Sequence, residues 1–186
     1  VNRVEKQAQT ELDKAEERLG PNHPDLVPLL NKLAVIHSDQ EKYALAEPLF
    51  KRSLGILEKT LGSDHPDVAR CLNSIAVVYA IQGQNSQALP FFERSLGIWE
   101  KFLGSENPDL ATRMNNLAMF FFKQKQFELA ENLFNRSLTI WENSYGPNHP
   151  NVATCLENLS HVYMKTKRRN MAQNTAKRAA AIRAGR

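Results

Sequence analysis

Glycine returns every 42 residues along this chain, at Gly20, Gly62, Gly104 and Gly146, and each is followed four residues later by Pro24, Pro66, Pro108 and Pro150. Ala46, Ala88, Ala130 and Ala172 keep the same interval. A period of this length, held over four copies without insertion, constrains the fold more tightly than any other property of the sequence. One such unit cannot enclose a core alone, so each must bury its apolar face on its neighbours. The core is therefore expected to grow along an axis and not around a centre.

Within one period the apolar residues recur at helical spacing. Leu26, Leu30, Leu33 and Ile36, with His37 beside them, follow Pro24, a residue suited to a first helical turn. Leu45, Leu49, Phe50, Leu54, Leu57 and Leu61 form a second run that stops at Gly62, a natural helix C-cap. The polar stretch 38–42 between them reads as a short turn. Each unit is thus predicted to be a helical hairpin, 24–40 and 43–61 in the first copy. Residues 1–19 align one period back with a second helix, Leu12 matching Leu54 and Leu19 matching Leu61. The chain is expected to open in mid-repeat and, lacking an initiator Met, to be a fragment of a larger protein. The expected organisation is an orphan second helix or N-cap over 1–20, then repeats over 21–62, 63–104, 105–146 and 147–186, the last ending in a basic helix.

The units resemble the tetratricopeptide repeat, whose pattern runs W-x2-L-G-x2-Y, then A-x3-F, then P. The first copy reads Leu30-x2-Leu33-Ala34-x2-His37 and Ala46-x3-Phe50, the second Leu72-x2-Ile75-Ala76-x2-Tyr79 and Ala88-x3-Phe92. The third reads Met114-x2-Leu117-Ala118-x2-Phe121 and Ala130-x3-Phe134, the fourth Leu156-x2-Leu159-Ser160-x2-Tyr163 and Ala172-x3-Ala176. The period exceeds the usual 34 residues by about two helical turns. This longer unit is similar to the repeats of kinesin light chains, through LGSDHPDVA (61–69), MNNLA (114–118), AEPL (46–49) and RSLGI (94–98). The likeness covers residues 19–165, and bacterial sensor and scaffold proteins carry similar units. Pro28, His37 in place of Tyr, and the Ala-rich second helix of the fourth copy depart from the pattern. The resemblance implies an all-α, right-handed α-solenoid of helix-turn-helix tetratricopeptide repeats, with the first helices lining a concave groove.

Several chemistries find no support in the residues. The signatures G-x-S-x-G, G-x-x-x-x-G-K-[ST] and G-x-G-x-x-G are absent, so no enzyme activity is expected. His23, His65 and His149 precede the repeat prolines, with Asn107 in the same place, and read as helix-start residues. No zinc-ligand spacing appears, and no metal or cofactor is expected. Glu58, Glu100 and Glu142 recur on second helices and are expected to form local pairs with Lys or Arg. Trp99 and Trp141 share the register of Leu57 and read as packing residues. Cys71 and Cys155 lie two periods apart and read as reduced, partly buried thiols, consistent with a cytoplasmic location. No run approaches the ~18 apolar residues that span a bilayer, and residues 1–14 are polar and mixed in charge, unlike a signal peptide.

The net charge is +4, but eight Lys or Arg and no acid follow Asn158, among them Arg169, Lys177 and Arg186. Nucleic-acid binding by helical repeats needs base-reading and basic rungs in every unit. Here the charge sits in one end unit, so no nucleic-acid partner is expected. Its Ala-rich helix is also a poor membrane anchor.

Asparagine is distributed differently. Asn31, Asn73 and Asn115 share one register of the first helices, and Lys32, Ser74, Asn116 and Asn158 share the next. They fall between buried Leu positions and are expected to point away from the packed seam. Asn is a poor mid-helix residue, yet its amide both donates and accepts and so can bracket a peptide backbone. On the same face lie Val35, Val77, Met119 and His161, then Phe122, with Arg70, Lys123 and Lys165 as cationic points. The expected site is therefore Asn31, Arg70, Asn73, Val77, Asn115, Asn116, Met119, Phe122, Lys123, Asn158, His161 and Lys165. Such a face suits a linear, acidic and apolar peptide of a protein partner, as resemblance to kinesin-light-chain-like cargo adaptors implies; a small-molecule ligand is not expected. The alternative reading is a ligand-sensing or autoinhibitory repeat array of a multidomain signalling protein.

Overall fold

The computed structural model describes residues 3–185, so Val1, Asn2 and the terminal Arg186 of the predicted end segments lie outside it. Among the described residues the chain is all-α: nine α-helices, one 3-10 turn and no strand. It divides into two compact units, Val1–Phe102 and Leu103–Arg186. The first holds α1 (Arg3–Leu19), α2 (Val27–Asp39), α3 (Tyr43–Leu61), α4 (Pro66–Ile81) and α5 (Asn85–Leu103). The second holds α6 (Pro108–Lys123), α7 (Phe127–Tyr145), α8 (Pro150–Lys165) and α9 (Arg169–Arg183).

The repeating residues explain these boundaries. At Gly62 and Gly146 the backbone takes φ of +88° and +86°, which a side chain would strain, while the glycine N–H still bonds the carbonyl of Glu58 or Glu142. The next helix then starts on a capping side chain and a proline. His23, His65 and His149 accept the N–H two residues on through Nδ1, at 3.2, 3.1 and 3.2 Å, and Asn107 does the same through Oδ1 at 2.8 Å. One start is different. Pro28 lies in the first turn of α2, and the chain passes through a 3-10 turn, Pro24–Leu26, so that helix begins at Val27 and not at Pro24.

Small residues set the helix crossings. Ala34 and Ala46, Ala76 and Ala88, and Ala118 and Ala130 are all completely buried. Ser160 takes the fourth place, and its hydroxyl donates to the Ala172 carbonyl at 2.8 Å. Phe50, Phe92 and Phe134 are buried beside these crossings, each large side chain contributing about 1.5–3 kcal/mol. The N-terminal α1 closes its own cluster, with Ala8, Leu12 and Ala15 packed among Leu26, Leu30, Leu33 and Ile56.

Charged pairs join successive repeats within each unit. Arg52 reaches back to Glu16 at 2.5 Å, Arg94 to Glu58 at 2.6 Å, and Arg178 to Glu142. These partners are 36 residues apart, so Glu58 and Glu142 pair with the next repeat and not locally as expected. A second set of clasps uses the register of Glu5, Glu47 and Glu131. Buried Glu5 takes Lys42 at 2.9 Å with His37 at 3.6 Å, Glu47 takes the Tyr79 hydroxyl at 2.6 Å, and Glu131 takes Arg168 at 2.5 Å.

Candidate functional site

Residues of the first-helix register come to the surface of α2 and α4 in one unit and of α6 and α8 in the other. In the first unit a cleft of about 340 Å³ runs between α2 and α4. Val27, Pro28, Asn31 and Val35 form its α2 wall, and Asp67, Arg70, Cys71 and Ser74 its α4 wall. Phe50 and Leu57 of α3 close the floor. An apolar base with a few polar groups on its walls is the usual composition of a ligand cleft.

Asn31 supplies the most informative of those polar groups. Its side chain was expected to project from the seam, but its Oδ1 is fully enclosed and makes no hydrogen bond within the protein. A buried acceptor without a donor costs roughly 1–3 kcal/mol. That oxygen is closed to solvent, and the groups the cleft presents to a ligand are the remaining polar atoms of its walls. Across from it, Arg70 Nη2 donates to Asp67 Oδ1 at 2.5 Å, with the arginine side chain 69 % exposed. Cys71 is inert by comparison: burial pushes its thiol up to about 11, and Sγ lies 3.2 Å from the Phe50 carbonyl. Asn73 is exposed and Val77 half-buried on α4, and neither lines the cleft.

The second unit arranges its residues otherwise. Asn158 Nδ2 donates to Asn115 Oδ1 at 3.4 Å, tying α8 to α6 across this face. Met119 and Phe122 are half-buried, and the Phe122 ring meets Phe127 edge-on at 5.7 Å, so it also steadies the α6–α7 hairpin. Asn116, Lys123, His161 and Lys165 are exposed. The site residues thus form two faces, one in each unit.

Asp67, Ser74, Val27 and Pro28 join the cleft without having been singled out as ligand-facing from the sequence. Asp67 was discoverable, because it precedes Arg70 by three residues on one helix, the spacing of neighbouring side chains. Among the described residues no group of three or more His, Cys, Asp or Glu is placed to hold a metal ion. No described helix is long and apolar enough to cross a membrane.

A family model of the tetratricopeptide repeat matches residues 25–101 and 109–184. Among solved structures, BtubC (BKLC) from P. vanneervenii is similar, with a TM-score of 0.74 at 21 % identity over 97 % of this chain and 74 % of that one. A putative kinesin light chain from Podosopora anserina, with nearly identical TPR-like repeats, gives a TM-score of 0.82 at 23 % identity over 97 % of this chain and 86 % of its own. MamA gives 0.58 at 13 % identity, over 100 % and 97 %. At such identities the likeness shows the fold. No curated protein matches the chain.

Proposed function

Because the chain belongs to the tetratricopeptide-repeat family, whose repeats are protein-interaction modules, we propose that it is a non-enzymatic adaptor or scaffold holding a linear peptide of a protein partner. The peptide lies on a first-helix face of a unit, its backbone met by asparagine amides and its side chains by apolar and cationic groups. Acidic and apolar peptides suit these faces best, given Arg70, Lys123 and Lys165 beside Val77, Met119 and Phe122. The cleft between α2 and α4, with an apolar base and Asn31, Arg70 and Ser74 on its walls, is the observation that carries this reading.

The test sets binding against stability. Asn31→Ala removes an unsatisfied buried oxygen and a poor helix former, so the unfolding midpoint should rise. Peptide affinity should fall in the same variant. Asn73 and Asn116 are exposed, one in each unit, so changing either to Ala should not lower stability while weakening binding at its own face by about two- to tenfold, the worth of one hydrogen bond. Peptides selected from a random library on the wild-type protein serve as probes. Unchanged affinity in all these variants would remove the asparagines from the site.

A further inference from the structure

Arg70 has no charged counterpart in its register: Pro28, Thr112 and Thr154 stand at the equivalent positions. The acid three residues before it does recur, as Asp25 and Asp109, without an arginine at the third residue on. An acidic residue in the first turn is stabilised by the positive end of its own helix, and the Asp67 N–H is already capped by His65. Asp67 is thus accounted for by the start of α4. The arginine is the added element, and it borders the cleft that contains the unsatisfied Asn31 oxygen.

Building on the peptide-binding reading, we propose that Asp67 occupies Arg70 as a built-in stand-in for a ligand carboxylate and sets how acidic a peptide the α2–α4 cleft accepts. In the free protein the pair leaves this edge of the cleft neutral, with the guanidinium bonded at 2.5 Å. An apolar peptide then meets no uncompensated charge. An acidic peptide must offer a carboxylate that replaces Asp67 on Arg70. The exchange is easy, because the arginine side chain is 69 % exposed and an exposed ion pair is weakly held. Asp67 therefore acts as a specificity residue without touching the ligand, and Arg70 is the group that does.

The proposal predicts that removing the competitor sharpens the preference for acid. Asp67→Asn keeps the side chain's size and the capped N–H but frees Arg70. Affinity for library-selected acidic peptides should rise about two- to fivefold at low salt, the range expected for one exposed ion pair. The gain should vanish at high salt and be missing for the Gln/Asn versions of the same peptides. Arg70→Ala should abolish the gain when combined with Asp67→Asn. Asp25→Asn, the same register with Pro28 in the arginine's place, controls for the altered helix start and should leave peptide selection unchanged. Unchanged acidic-peptide affinity in Asp67→Asn, or an equal rise in Asp25→Asn, overturns the role of Asp67 while leaving the peptide-binding reading intact. A wild-type protein that selects no peptide at all overturns both.

Discussion

Cys71 and Cys155 occupy one register, and each is a free, buried thiol whose Sγ lies 3.2 or 3.1 Å from a phenylalanine carbonyl. Desolvation raises both to about 11 from an ordinary 9.0. Thiolate is the reactive form, so a disulfide reagent at pH 8 should label neither residue in the native protein and both after unfolding. Prompt native labelling would mean that the helix crossings are looser than described. The linkage has a definite sign. A folded pKa above the unfolded one gives stability that is complete below pH 9 and is lost as pH rises toward 11. That these cysteines are buried and unpaired was legible from their two-period separation. The state of Asn31 was not, because register fixes the side of a helix a residue occupies but not how deeply the neighbouring helix covers it. Asn31 lines a cleft that residues of α2, α3 and α4 build together, and its oxygen is enclosed there.

At the scale of a helix, the start signal is the feature most open to test. His65 caps α4 through Nδ1, as Asn107 caps α6 through Oδ1. His65→Ala should lower stability by about 1 kcal/mol, the usual worth of such a cap, whereas His65→Asn should be nearly neutral. Chemical denaturation of the two variants against the parent decides it; equal losses in both would assign the effect to the imidazole's packing. Helix extents were largely readable from the sequence, since 43–61 and the second helices of later repeats end at glycine or one period from it. The late start of α2 was less so. Proline suits the first helical turn at either Pro24 or Pro28, and local preference does not choose between them. The repeat-to-repeat arginine pairs were also hidden, because helical spacing suggests partners three or four residues away and these lie 36 apart.

At the scale of the whole molecule, the glutamate clasps give the fold an acid limit. Glu5 is held below its ordinary 4.5 chiefly by the hydrogen bond from Lys42, and Glu47 by those from Lys51 and Tyr79. A depressed carboxyl contributes stability that is present above pH 4.5 and is lost as pH falls through the lower folded value. Urea midpoints followed downward from pH 6 should therefore drop below pH 4.5, and Glu47→Gln should flatten that drop. An identical acid limb in the variant would remove Glu47 from the effect. The same clasps bear on how a repetitive chain assembles. The first three hairpins repeat the same alanines and phenylalanines, so those contacts alone do not tell one hairpin from the next. The clasps differ in their donors: Glu5 takes Lys42, Glu47 takes the Tyr79 hydroxyl, and Glu131 takes an arginine stacked over Tyr163. A hairpin displaced by one period would offer each of these carboxylates a different pair of side chains from the native one, since His37/Lys42, Tyr79/Gln84, Phe121/Gln126 and Tyr163/Arg168 hold the equivalent positions.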